Sequence, residues 1–296
     1  MHFGIVVSDP NDWTAQALHS AFAGRGVEVS FMNFSDLAAT ITEGFSLASS
    51  GVDLLELDGL IVRDVGRQGA EDVGFRFEAL CHLERLGIKV INPTNAIARA
   101  ANKFATSLAL KQAGVPTPAT VVTTSKVAAS RALSDFGKAV SKPLFGYKGK
   151  GIMLLKKGDE NSLQDIIKKQ GMIYLQEFIE SGSPRDIRAF VVGNEVVGAI
   201  YRVAPQGQWI SNLARGGSAK LCTVTDELKD LATRASMAVG TFYSGVDLLE
   251  TGDGLKVIEV NGTPSGKGIF DACGINAAEI IADRALLPKA SKRLST

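Results

Sequence analysis

The pattern of apolar residues changes near residue 95, and this change constrains the fold more than any other feature of the chain. Before it, short apolar runs at 3–7, 27–31, 59–62 and 89–91 alternate with amphipathic stretches at 11–24 and 70–86. Such alternation predicts a parallel sheet flanked by helices, because two parallel strands must be joined by a crossover. The second amphipathic stretch places Phe77, Leu80, Cys81 and Leu83 at helical spacing, with Arg85 near its end, as a helix packed on a sheet would. After residue 95 an alanine-rich helical stretch runs to 113 and is stopped by Gly114-Val-Pro-Thr-Pro118, which leads into an extended run at 119–123.

Beyond that point the strands come as hairpins. Residues 138–142 and 151–155 predict two strands joined by a glycine-rich loop, a charged helix follows at 161–170, and 172–178 predicts the next strand. The runs 188–192 and 196–202 flank Gly193-Asn194, a tight-turn pair in which glycine supplies a positive φ. A helix at 225–239 ends at Gly240, and 246–250 with 255–260 form the last hairpin. The expected organisation is an N-terminal lobe over 1–95, a middle lobe over 96–178 carrying the glycine-rich loop, and a last lobe over 179–290.

Composition removes several classes of function. Thirty-two Lys and Arg nearly balance 31 Asp and Glu without a block of like charge, so a nucleic-acid surface is not expected. No run of about 18 apolar residues exists, so no membrane span is expected. The apolar start at 2–7 is cut short by Asp9-Pro10-Asn11-Asp12, unlike a signal peptide, and the protein is expected in the cytoplasm. Cys81, Cys222 and Cys273 lack a C-x-x-C pair, which predicts inert thiols rather than disulfides or a zinc site. The histidines, His2, His19 and His82, all lie in the N-terminal lobe, and no Cys-His or Ser-His constellation for covalent catalysis is present. The first strand is followed by Ser8-Asp-Pro-Asn-Asp12 instead of G-x-G-x-x-G, which disfavours a dinucleotide-binding lobe.

The chemistry concentrates in the last hairpin, Gly245-Val-Asp-Leu-Leu-Glu-Thr-Gly-Asp-Gly-Leu-Lys-Val-Ile-Glu-Val-Asn-Gly262. Glu259 and Asn261 are two apart on one strand and leave the same face. A three-residue turn at Gly252-Asp253-Gly254 would pair Thr251 with Leu255 and set Asp247 opposite Glu259, with Cβ atoms about 5 Å apart. Carboxylates so close repel unless a cation intervenes, and hard oxygen ligands suit Mg²⁺, which completes its shell with water and phosphate. Upstream, Ser141-Lys-Pro-Leu-Phe-Gly-Tyr-Lys-Gly-Lys-Gly151 joins two strands and lacks the Walker spacing. A flap whose amides close over phosphates, with Lys142 as a point charge, fits it better. Tyr174-Leu-Gln-Glu-Phe-Ile179 could offer backbone groups and an apolar wall to a base.

The order of these parts resembles the ATP-grasp superfamily: Lys-Pro with a glycine loop, Gln-Glu-Phe, Asp-Ile-Arg, Ser-Asn-Leu-Ala-Arg-Gly-Gly217 and Asp…Glu-x-Asn. Within it, the loop ending at Gly217 and Glu259-Val-Asn-Gly-Thr-Pro264 look most like RimK-type α-L-glutamate ligases, over roughly residues 90–285. The resemblance implies an α/β and α+β chain: an N-terminal parallel α/β domain that precedes a two-lobed ATP-grasp fold. It implies that Lys103 and Lys142 contact ATP phosphates, with Gly149 and Gly151 in the flap. Glu177 and Phe178 would meet the adenine, Asp186 the ribose, and Ser211 and Asn212 would also line the nucleotide site. Asp247, Glu259 and Asn261 would hold one or two Mg²⁺ or Mn²⁺ ions. Arg215 would stabilise an acyl phosphate and the tetrahedral adduct, and Arg188 and Arg202 would position acid substrates.

The implied partners are ATP, L-glutamate and a carboxylate acceptor, and members of the family are often homo-oligomers. Gly262-Thr-Pro-Ser-Gly-Lys-Gly-Ile-Phe270 looks like the branch that acts on tetrahydromethanopterin-type pterins. Other relatives modify a deazaflavin, a carrier protein or the C-terminus of a ribosomal protein, and a non-catalytic ATP-binding module is a further alternative. Two positions depart from the family pattern: Ile210 stands where an arginine is frequent, and Asn102 where aspartate is frequent.

Overall fold

The computed structural model describes residues 1–66, 69–146, 149–180, 182–208, 210, 211, 213 and 216–287. Two compact units are present: Met1–Ile91 together with the segment from Asn276 onward, and Asn92–Ile275.

The first unit begins with β1 (His2–Val6), α1 (Trp13–Ala23) and β2 (Glu28–Met32), followed by β3 (Ala38–Ile41), β4 (Phe45–Ser49), β5 (Val52–Asp53), β6 (Gly59–Val62), α2 (Ala70–Arg85) and β7 (Lys89–Ile91). The strands are parallel, as the βα alternation predicts, and take the order β2-β1-β6-β7. Near-continuous apolar strands bury Phe3, Ile5, Val6, Leu60, Ile61 and Val62, which a sheet covered on both faces requires. Asp12 starts α1 by accepting from Ala15 N. A small antiparallel sheet of β3, β4 and β5 was not expected. Its strands are nearly all exposed, with only Leu47 and Ser49 buried, so they carry no alternating pattern to read.

The second unit contains α3 (Thr94–Ala101), α4 (Lys103–Gln112), β8 (Thr120–Thr123), α5 (Lys126–Phe136), β9 (Lys138–Lys142), β10 (Met153–Lys156), α6 (Glu160–Gln170) and β11 (Ile173–Glu177). It continues through β12 (Arg185–Val192), β13 (Glu195–Val203), β14 (Ser218–Leu221), α7 (Asp226–Val239), β15 (Tyr243–Thr251), β16 (Gly254–Asn261) and α8 (Lys267–Cys273). The alanine-rich stretch expected as one helix is two. Asn102 ends α3 and caps α4, its side chain accepting from Phe104 N at 3.0 Å and Ala105 N at 3.2 Å.

Two antiparallel sheets form the body of this unit, in the orders β10-β9-β11-β8 and β14-β13-β12-β15-β16. On the first, Ala139, Leu155, Ile173 and Leu175 pack against Ala129 and Leu133 of α5 and Leu163 and Ile166 of α6. On the second, Ile187, Ala189, Val191, Val246, Leu248, Val257 and Val260 pack against Leu228, Leu231, Ala235 and Val239 of α7. Period-two alternation therefore turns the intervening polar residues of both sheets to the opposite faces.

The last element is α9 (Ala277–Leu286). The last lobe was expected to run to 290, but α9 belongs to the first unit, where Arg25 bonds Glu279 at 2.6 Å and Asp283 at 2.7 Å. An amphipathic helix carries no mark of which sheet it covers. Burial pushes the Cys222 and Cys273 thiols up, away from the reactive thiolate. Among the described residues no helix is long and apolar enough to cross a membrane.

Candidate active site

The turn of the last hairpin differs from expectation, yet its consequence holds. Thr251 pairs with Gly254, not with Leu255, so the loop has two residues rather than three. This register continues to Leu248 opposite Val257 and then shifts, leaving Ile258 as an extra residue and setting Asp247 opposite Glu259 and Gly245 opposite Asn261. The bulge lets Val257 and Val260 both enter the core while Glu259 leaves by the other face.

That other face gathers most of the expected polar residues. Asp186 and Arg188 lie on β12, Arg202 on β13, Asp247 on β15, and Glu259 and Asn261 on β16. Asp247 is 2% exposed and is held by both guanidinium groups: Arg188 Nη2 donates at 2.9 Å, Arg188 Nε also bonds it, and Arg202 Nη2 lies at 2.8 Å. Arg202 also grips Asp186 in a fork of 2.7 and 2.6 Å, and Ser211 Oγ donates to Asp186 at 2.7 Å. Glu259 accepts from Lys103 Nζ at 2.8 Å. Asn261 Nδ2 points toward Gly245 O at 3.3 Å and Asp247 at 3.5 Å, which leaves its Oδ1 as the atom able to bind a metal.

These contacts correct one step of the sequence reading. The opposed carboxylates do not require a metal ion to relieve repulsion, because Arg188, Arg202 and Lys103 already supply cations. Burial alone would raise the pKa of Asp247, but the two arginines outweigh it and hold the carboxyl below its usual range. Burial likewise opposes the charge of Arg202, and Asp247 and Asp186 more than restore it, so its pKa is raised. Neither arginine is solvent-exposed: their side chains are 15% and 6% accessible.

Lys142 ends β9, and its ammonium donates to Gln176 Oε1 at 2.7 Å. Burial draws its pKa down against the attraction of Glu259, and Lys103 adds to the depression. Lys103 opens α4, and its backbone N–H donates to Leu144 O at 3.2 Å, fixing the start of the glycine loop. Gly149 and Gly151 take φ of 69° and 73°, and a Cβ on Gly151 would stand 2.8 Å from Pro143 Cγ. Tyr147 and Lys148 of the loop, and the expected site residues Asn212 and Arg215, lie outside the described residues.

Glu177 is placed apart from this cluster. It pairs with Ala139, whose side chain enters the helix-covered core, so its own side chain leaves the face opposite to Lys142, and its carboxylate accepts from Ala119 N at 3.4 Å. Phe178 N–H donates to Lys138 O at 3.0 Å. The residue that reaches Lys142 is Gln176, which the sequence reading passed over. The alternation that puts Tyr174 and Gln176 on one face was visible and could have found it. Gly245 was also missed: a Cβ there would stand 2.8 Å from Arg188 Cδ and 2.9 Å from Pro264 Cβ. Only a glycine lets Arg188 cross the strand to Asp247.

The tetrahydromethanopterin:alpha-L-glutamate ligase of Methanosarcina acetivorans is 45% identical to this chain, covering 94% of it and 96% of its own length. The protein of the same name from Methanocaldococcus jannaschii is 41% identical, covering 84% of this chain and 86% of its own length. Among solved structures, the ATP-grasp ligase PsnB in complex with a minimal precursor, Mg and ADP has the same fold: TM-score 0.72, 21% identity, covering 95% of this chain and 96% of that one. The RimK-like ATP-grasp domain matches residues 100–285, a span that includes every expected site residue. The chain belongs to the RimK-like ATP-grasp family.

Proposed function

We propose that the chain is an ATP-dependent carboxylate-amine ligase that adds L-glutamate to a tetrahydromethanopterin-type pterin through an acyl phosphate. The observation that carries this reading is the convergence of Asp247, Glu259 and Asn261 with Arg188, Arg202 and Lys103 on one sheet face. The 45% identity to a ligase of that name supports the choice of glutamate and of the pterin.

The donor set fits a divalent cation shared with phosphates. Two carboxylates and an amide oxygen are hard ligands on one face, and they leave coordination positions for water and phosphate. Asp247, Glu259 and Asn261 would hold one or two Mg²⁺ or Mn²⁺ ions, which when bound supply charge neutralisation for the β- and γ-phosphates. PsnB, which shares the fold, was solved with Mg and ADP.

The protein's own groups do the rest by position and charge. Lys103 and Lys142 bind phosphate oxygens, and Gly149 and Gly151 let the flap close over them. The backbone groups of Glu177 and Phe178 border the adenine at the end of β11, Asp186 the ribose, and Ser211 and Asn212 line the same site. Arg188 and Arg202 orient the acid substrates. An acceptor carboxylate oxygen attacks the γ-phosphorus, and ADP leaves with the electrons of the broken P–O bond. The glutamate amine then attacks the acyl carbon, loses its proton, and phosphate departs as the amide forms. Arg215 balances the charge that develops on the acyl phosphate and the tetrahedral adduct. The ion pairs Lys103–Glu259 and Arg188–Asp247 balance the charges of these side chains on the sheet face.

Release of ADP and phosphate tests the reading. It is expected only when ATP, glutamate and the pterin are all present, and Glu259→Ala is expected to stop it. ATP binding without turnover across a broad panel of acids and amines would favour a non-catalytic module instead.

A further inference from the structure

The two lysines of the cluster have partners of different charge. Lys103 on α4 donates to a carboxylate, Glu259, at 2.8 Å, whereas Lys142 donates to the uncharged amide oxygen of Gln176 at 2.7 Å. Further bonds extend from Lys142. Gln176 Nε2 donates to Tyr174 Oη at 3.2 Å and to Thr120 Oγ1 at 3.3 Å, and Tyr174 Oη lies 2.8 Å from Ser107 Oγ.

The ladder explains why these groups meet. Lys142 is opposite Tyr174, and Gln176 is opposite Thr120. With period-two alternation all four leave the sheet face that α5 and α6 do not cover. Ser107 lies four residues after Lys103, one turn along the same face of α4. The chain of bonds thus ends on the helix that carries the other lysine. Gln176 is 3% exposed and Tyr174 2%, so these polar atoms must satisfy one another.

An amide can turn either end toward a lysine, and only its oxygen can accept. The ammonium settles the choice, because a reversed amide would set donor against donor in a buried place, and the hydroxyls of Tyr174 and Thr120 accept from the NH₂ end that is left. Two of the three Lys142 N–H donors are then unused by Gln176, and a neutral partner brings no counter-charge into hydrogen-bond contact with the lysine. A carboxylate at position 176 would make the same hydrogen bond and supply one.

We infer that Gln176 is a positioning residue for the nucleotide phosphates: it aims Lys142 without neutralising it, and Tyr174, Thr120 and Ser107 fix the amide that does so. This rests on the nucleotide site proposed above, in which Lys142 meets phosphate. Titration calorimetry of the full-length protein with ADP in the presence of Mg²⁺ tests it. Gln176→Leu is expected to weaken ADP binding about tenfold, the worth of one charge-assisted hydrogen bond. Gln176→Glu, which keeps an acceptor, is expected to weaken it at least as much. Tyr174→Phe and Ser107→Ala each weaken it two- to fivefold, and neither adds further loss in the Gln176→Leu background, since residues of one network are not additive.

A merely structural role would give additive losses that follow the fall in melting temperature, with Gln176→Glu retaining affinity. That result, or Gln176→Leu binding ADP within twofold of the wild type, would overturn the inference. If Gln176→Leu does not fold, Tyr174→Phe decides, and unchanged affinity overturns it. Wild-type protein that binds no ADP would instead overturn the nucleotide site itself.

Discussion

Asp247 lies directly opposite Glu259 across the last hairpin, and one unpaired residue, Ile258, makes it so. The two-residue turn would otherwise carry the ladder on in a register that sets Asp247 against Ile258. The bulge restores the pairing of the carboxylates, and Arg188, Arg202 and Lys103 keep it from being repulsive.

Removing one charge from this arrangement strands the others. Asp247→Asn leaves Arg202, 5% exposed, with Asp186 alone, and deprives Arg188 of its carboxylate partner. We expect a loss of about 3 kcal/mol in the ligand-free protein, the low end for breaking a buried pair because Arg188 retains some access to water. Urea unfolding of the two proteins measures it.

The same carboxylate gives stability a defined pH dependence. Its pKa is lower in the folded chain than in the unfolded one, so the unfolded chain binds the proton more readily. The contribution is complete above about pH 5 and is lost as pH falls through the unfolded value near ~4 toward the folded value. Unfolding free energies measured between those limits should fall less steeply in Asp247→Asn than in the wild type.

Gly245 sets the path of Arg188. Gly245→Ala places a methyl group 2.8 Å from Arg188 Cδ and 2.9 Å from Pro264 Cβ, so the arginine must shift away from Asp247. We expect a destabilisation of about 1–3 kcal/mol, typical of overpacking, and a fall in ligase rate larger than that of a surface Gly→Ala control such as Gly74. Thermal unfolding and initial rates measured together separate the two effects.

Lys103 and Glu259 are only partly buried, with side chains 12% and 32% exposed, so their ion pair is a weak support. A double-mutant cycle of Lys103→Met and Glu259→Gln should give a coupling of about 1 kcal/mol or less in ligand-free protein, shrinking as salt is added. The effect on catalysis should be far larger than this, since both residues are proposed to act on phosphate or metal.

Most of the fold was legible because the chain obeys local rules. The βα alternation of residues 3–91 marked a parallel layer, and Gly193 turns the β12–β13 hairpin at a φ of 59° as its dipeptide predicted. Exposed β3 and β4 were missed because nothing buries one of their faces, and α9 was assigned to the wrong unit because helix amphipathicity names no partner. Candidate site residues could be named where ligand chemistry marks them, as with Asp247, Glu259 and Lys142. Their present partners could not, since pairing Arg202 with both Asp186 and Asp247 depends on three strands meeting in register. Asn102, which stands where aspartate is frequent, caps the helix that carries Lys103.

The measurement that bears most directly on the account is mass spectrometry of tetrahydromethanopterin incubated with the protein, ATP, Mg²⁺ and L-glutamate. The expected product is heavier than the acceptor by one glutamyl residue, formed in step with ADP and absent with Glu259→Ala. A pterin recovered unchanged while the protein releases ADP on some other acid, or an equal yield from Glu259→Ala, would contradict it.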